Sequence, residues 1–235
     1  MIKRSIFIGY DAREDDAYRV CVQSIRNHLS EDIPIRPIIL QEMRDKGLFW
    51  REQEHRGNQL WDVISDAPCS TEFSFTRFLI PHLCAGGLAL WMDCDMLVRT
   101  DLVELFDMAD PTKAVQVVKH EHRPAETVKM DGQAQTEYLR KNWSSVVLWN
   151  LDHPAHKQLS LRAINSMTGA SLHQFAWLLN EEIGELPPEF NHLVGVQPQN
   201  PTAKIAHLTL GVPSMPGYEN SEFAEEWLAE LQNAH

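Results

Sequence analysis

The chain has 235 residues, 43% hydrophobic and 23% charged, with a formal net charge of −12. This suits one compact α/β domain, or at most two small ones, with a single domain over residues 1–235 expected, and excludes a disordered chain, a collagen-like chain and a disulfide-stapled mini-protein. The acidic balance also disfavours broad nucleic-acid binding, which needs a basic face.

No apolar run reaches the roughly 18 residues that span a bilayer. The start, MIKRSIFIGYD, carries too short an apolar block for a signal peptide. A soluble cytoplasmic protein without a transmembrane segment is expected, with peripheral membrane contact left open. Cys21, Cys69, Cys84 and Cys94 show no CxxC spacing and read as free thiols of a reducing compartment.

In chain order, residues 5–9 (SIFIG) read as a buried first strand ended by glycine. A helix is expected over 11–29, with Ala17, Val20, Cys21, Ser24, Ile25 and Leu29 forming its apolar stripe. Residues 34–40 (PIRPIIL) read as a strand that their prolines place near an edge. Residues 41–70 look polar and irregular, with Trp50 and Trp61 as anchors. A helix capped by Ser70 or Thr71 is expected to run to about residue 83. The Gly86-Gly87 turn then leads into a buried strand over 88–92. A short helix at 102–106, capped by Asp101, and a strand at 114–118 follow. Residues 119–142 read as a substrate lid. The remaining elements are a strand at 144–149, helices at 154–167 and 173–179, a strand at 205–208 and a terminal helix at 221–233. Alternating strands and helices indicate an α/β fold with a mostly parallel sheet.

The most informative stretch is LALWMDCDMLV. Residues two apart on an extended chain point the same way, so Asp93 and Asp95 are presented together where a strand ends. Ligands bind at that edge of open α/β sheets. Two adjacent carboxylates repel each other and favour a hard divalent cation, magnesium or manganese. The competing reading is a polar turn closing the strand.

With IFIGYDARE, TEFSFTRFLIP, NWSSVVLWN, LHQFAWL, FNHLVG and IAHLTLG, this stretch resembles the nucleotide-sugar glycosyltransferases of the GT-A fold. The likeness is greatest to glycosyltransferase family 8 and its bacterial relatives, and it extends to about Gly217. The resemblance implies a Rossmann-like GT-A domain, a mixed, mostly parallel sheet flanked by helices. It implies retaining transfer from a donor, expected to be a UDP-sugar, to a sugar, lipid or protein acceptor. It implies Mn2+ or Mg2+ held by Asp93, Asp95 and His207, which leaves coordination positions for phosphate oxygens. Asp93 and Gln174 become the expected catalytic residues. Tyr10 is expected to stack on the base and Asp11 to hydrogen-bond it, with Asp11 also serving as a helix cap.

Arg13 is open between a phosphate contact and a solvated helix turn. Arg77, in an apolar segment, needs an anionic partner: the donor, Asp93, or both. Cys94, Ser145, Asn150, Asn191 and the backbone N–H of Gly211 complete the expected donor-binding set.

Two departures from the family stand out. His173 replaces the acid that normally precedes the glutamine, and no lysine follows His207 to clamp a diphosphate; the fit of the upstream Lys204 is open. Trp50, Trp61, Trp143 and Trp177 read as core rather than as sugar platforms. Two other functions stay in view. A haloacid-dehalogenase-type phosphohydrolase also places DxD after a strand, but that signature fails at Leu97. A sugar-nucleotide-binding domain without turnover fits the two departures.

Overall fold

The computed structural model describes residues 3–120, 140 and 142–234. Most of the expected lid, 121–139 and 141, lies outside the described residues. The strands are β1 (Arg4–Tyr10), β2 (Ile35–Ile39), β3 (Gln53–Arg56), β4 (Gln59–Asp62), β5 (Ala67–Cys69), β6 (Leu88–Met92), β7 (Met96–Val98), β8 (Val115–Val117), β9 (Val146–Asn150), β10 (Ile183–Glu185), β11 (His192–Leu193) and β12 (Ile205–His207). The α-helices are α1 (Asp15–His28), α2 (Leu40–Asp45), α3 (Ile80–Leu83), α4 (Val103–Asp107), α5 (Leu161–Ser166), α6 (Gly169–His173) and α7 (Ala224–Asn233). Among the described residues, no helix is long and apolar enough to cross a membrane.

Six strands form the central sheet in the order β10-β8-β9-β6-β1-β2. Every residue of β6 is buried, as its unbroken apolar sequence requires of a strand covered on both faces. β6 is parallel to β1, and β1 to β2. β9 runs antiparallel between β6 and β8. The sheet is therefore mixed and mostly parallel, with helices flanking it, as the sequence indicates. β2 is an edge strand, which accommodates Pro37.

The DxD segment joins β6 to β7, which belongs to a second sheet, β11-β12-β7. β7 and β12 are antiparallel, with His207 paired to Met96 and the Leu208 N–H donating to the Asp95 carbonyl. That register sets His207 beside Asp95.

Several expected elements take other forms. Residues 41–70 hold α2 and the three-stranded antiparallel sheet β3-β4-β5, whose first hairpin turns on Gly57-Asn58. Trp50 is 55% exposed rather than an anchor. In place of one helix over 70–83, a turn and a 3-10 segment, Thr76–Leu79, precede α3. Pro81 is the cause, because a proline ring is tolerated only in a helix's first turn. The expected helix over 154–167 is split by Ser160, whose Oγ caps α5 by accepting from the Ala163 N–H at 3.2 Å. The helix expected at 173–179 instead ends at His173; Thr168 caps its start, and Phe175 takes φ of 54°.

The small sheet is fastened by a buried ion pair. Arg51 Nε and Nη2 meet Asp62 Oδ1 and Oδ2 at 2.6 and 2.7 Å, and Nη1 donates to the carbonyls of Ile164 and Met167. This ties β4 to α5 and to the residues that begin α6. Replacing Arg51 with Met leaves Asp62 buried and unpaired. Urea unfolding is expected to show a loss of about 3–5 kcal/mol.

Candidate functional site

The segments that follow β1 and β6 line a cleft of about 760 Å³. Asp93, Asp95 and His207 meet there, each offering a ligand atom within 4.8 Å of the others. They arrive from the end of β6, the β6–β7 join and the end of β12.

Arg77 fixes Asp93. Its Nη1 lies 2.7 Å from Asp93 Oδ1 and donates to the Ser144 carbonyl at 2.8 Å. Its guanidinium carbon lies 5.6 Å from the Phe73 ring centroid and 5.1 Å from that of Trp91. Trp91 Nε1 donates to the same Asp93 oxygen at 3.1 Å. Burial and the Asp95 charge push the Asp93 carboxyl up, and Arg77 opposes them. Gly9 makes room for this packing, since a Cβ there would fall 2.4 Å from the Phe73 ring.

The state of His207 follows from a chain of hydrogen bonds. Ser145 Oγ donates to the Asn142 carbonyl at 2.7 Å, so it accepts from Asn191 Nδ2 at 2.9 Å. Asn191 Oδ1 then faces His207 Nδ1 at 3.0 Å, which makes that nitrogen the N–H. His207 Nε2 therefore turns its lone pair toward Asp95 Oδ1, 3.3 Å away. That buried oxygen has no hydrogen-bond partner. Two facing lone pairs are stable only around a cation. A proton serves in its absence: mutual attraction outweighs burial, holding Asp95 below its usual range and His207 above it. Two carboxylates and one imidazole also suit Mn2+ or Mg2+, so the residues present fit a divalent ion.

The other expected residues divide. Arg77 and Ser145 line the cleft with the acidic pair. Asn191 is fully buried and acts on His207 and Ser145. Cys94 is buried, and its thiol donates to Glu14 Oε2 at 3.1 Å. Asp11 caps the 3-10 turn Ala12–Glu14 and grips Arg13 through both oxygens, at 3.0 Å to Nε and 2.6 Å to Nη2. Burial pushes the Asp11 carboxyl up, but Arg13 and two backbone N–H groups outweigh it and hold it low. Tyr10 donates to Asp15 Oδ1 at 3.0 Å, outside the cleft wall.

Asn150 pairs with Leu88, at the opposite end of β6 from Asp93, because β9 is reversed. There its amide donates to the carbonyls of Pro111 and Lys113. Gly211, with φ of 153°, uses its N–H on the Leu208 carbonyl. Lys204 pairs with Glu104. The Gln174 carbonyl accepts from Arg140, and the cleft wall beside it is His173.

Glu14 escaped the sequence reading, though its place three residues after the first strand's Asp11 was a usable signal. It lines the cleft, and burial lifts its carboxyl to about 7, with the Asp95, Asp11 and Asp93 charges adding and the Cys94 hydrogen bond opposing.

The fold is that of the GT-A glycosyltransferases. GlyE of Streptococcus pneumoniae TIGR4 superimposes with a TM-score of 0.62 at 14% identity, over 98% of this chain and 60% of that one. The chain thus spans about 60% of the length of GlyE. An active-site mutant of LgtC also gives 0.62, at 13% identity over 97% of this chain and 95% of that one. Mouse xyloside xylosyltransferase 1 gives 0.56, at 12% identity over 88% and 97%. No protein-family model matches the sequence. Protein CDI of Arabidopsis thaliana is 47% identical over 233 residues, 97% of this chain and 85% of that protein, and the chain belongs to its family.

Two measurements test the site. Asn191→Ala releases His207 Nδ1, and calorimetry is expected to show Mn2+ affinity reduced about 10–100-fold. The second concerns Glu14 in metal-free protein. Its folded pKa, about 7, lies above the unfolded value, so the folded state keeps a proton that the unfolded chain loses. Its contribution is full below the unfolded value and fades as pH rises toward 7. Glu14→Gln should flatten that part of a pH series of urea midpoints.

Proposed function

We propose that this protein is a metal-dependent glycosyltransferase. It moves a sugar from a nucleotide-sugar donor, a UDP-sugar, to an acceptor with retention of anomeric configuration. The convergence of Asp93, Asp95 and His207 over the cleft carries this reading. The fold shared with GlyE, LgtC and the xylosyltransferase supports it. So does the LgtC structure described as a complex with donor and acceptor sugar analogs.

Asp93, Asp95 and His207 Nε2 would hold Mn2+ or Mg2+. When bound, the ion would neutralise charge on the departing nucleoside diphosphate. Arg77 opposes the rise that burial imposes on Asp93 and aims its carboxylate, and Asn191 keeps the His207 lone pair forward. Asp62 also lines the cleft, but Arg51 occupies both its oxygens. No other carboxylate but Glu14 and the metal pair lines the cleft among the described residues. Glu14 holds its proton up to about pH 7 and accepts from Cys94, which makes it a poor nucleophile, so same-face attack fits better than a covalent glycosyl-enzyme. The acceptor oxygen bonds to the anomeric carbon as the bond to the diphosphate oxygen breaks, and the acceptor's proton passes to the diphosphate.

Asp93 Oδ1 is held by two donors, which disfavours the nucleophilic role a phosphohydrolase would require of it. The Gly211 N–H serves the Leu208 carbonyl and Lys204 serves Glu104, so in this reading a bound ion would carry the diphosphate.

The test is release of UDP from UDP-sugars with Mn2+ and without it. Wild-type turnover should require the metal, and Asp95→Asn should lower it at least about 100-fold while its far-UV circular dichroism stays that of the wild type. Metal-independent release, or full activity in Asp95→Asn, would refute the proposal.

A further inference from the structure

The cleft contains a second polar device that the cation site leaves unused. Ser144 Oγ and His173 Nδ1 lie 2.7 Å apart, and both residues line the cleft with Asp93 and Asp95. Ser144 leads into β9, and His173 ends α6. The imidazole stands edge-on to Phe78, with centroids 5.2 Å apart at 76°, and tilted against Phe75 at 5.9 Å. These rings fix its plane. Burial, with the charges of Arg77 and Arg51, lowers its pKa to about 3, so the ring is neutral at ordinary pH. Arg77 Nη1 spans from Asp93 to the Ser144 carbonyl, which places the pair two hydrogen bonds from the acidic cluster.

A neutral serine–histidine pair has two proton arrangements. In one, the hydroxyl donates to Nδ1, leaving Nε2–H as a donor and Oγ lone pairs as acceptors. In the other, Nδ1–H donates to Oγ, the hydroxyl proton is free to donate, and Nε2 accepts. Each arrangement offers one donor and one acceptor without charge. A sugar hydroxyl is the matching partner, being itself both donor and acceptor. A phosphate oxygen calls for donors alone, and a cation for acceptors alone. So weak a base cannot activate Ser144 as a nucleophile.

We propose that the Ser144–His173 pair determines sugar specificity by hydrogen-bonding one hydroxyl of the transferred sugar. The inference rests on the glycosyltransferase reading and deepens it. A site built to bond a hydroxyl rejects the analogue that lacks it.

The test uses calorimetry of the whole chain at saturating Mn2+. UDP is compared with UDP-glucose, UDP-galactose, UDP-N-acetylglucosamine and UDP-xylose. The tightest of these is then titrated into His173→Phe, which preserves the aromatic packing, and into Ser144→Ala. Each variant should raise the ratio of the sugar-nucleotide Kd to the UDP Kd about tenfold, with UDP and Mn2+ affinities unchanged. One deoxy form of that sugar nucleotide should bind wild type and His173→Phe equally. Unchanged ratios in both variants, or equal weakening of UDP and the sugar nucleotide, would overturn the inference. So would wild-type binding of UDP and Mn2+ with no sugar nucleotide taken. A wild-type chain that binds neither UDP nor Mn2+ would remove the glycosyltransferase reading itself, and this inference with it.

Discussion

A carboxylate inside a protein stays charged only if a counter-charge is buried with it. Arg77 meets that condition for Asp93. Two aromatic rings flank its guanidinium, and the Ser144 carbonyl takes another of its protons. The guanidinium has no freedom to leave, and the acid has none to turn away. The geometry of the cleft depends on this contact. It fixes the end of β6, and it joins the 3-10 segment bearing Arg77 to the residues that lead into β9.

The side opposite Asp93 is governed by tautomer choice. Asn142, Ser145, Asn191 and His207 pass hydrogen bonds in a single direction. Ser145 and Asn191 stand 46 residues apart, and reversing the Asn191 amide would set two acceptors face to face on one side and two donors on the other. A lone pair is thereby aimed at a carboxylate without spending a charged residue.

Much of this was legible in the sequence. The unbroken apolar run before Asp93 marked a strand buried on both faces, and the i, i+2 spacing placed both acids at one rim. Arg77 in an apolar segment announced its need for an anion. The strand direction was not legible. β9 has the same apolar character as a parallel strand, and only its pairing shows that Asn150 lies at the far rim from Asp93. Short strands were missed for a related reason. β7 holds three residues, too few for alternation to appear, and the meander over 53–69 is marked mainly by Gly57-Asn58. The departure at His173 was visible as a residue type, while its bond to Ser144 depended on how the chain folds back.

The acids lie where one sheet gives way to another. β6 closes its run in the six-stranded sheet, β7 opens the three-stranded one, and His207 ends a strand of the latter. A divalent ion held at that seam would be a reversible crosslink between positions 93 and 207, more than a hundred residues apart along the chain. Unlike a disulfide, it would bind the folded chain and leave the unfolded one, so it would clamp the two sheets by mass action. Rigidity of the second sheet would then follow metal supply.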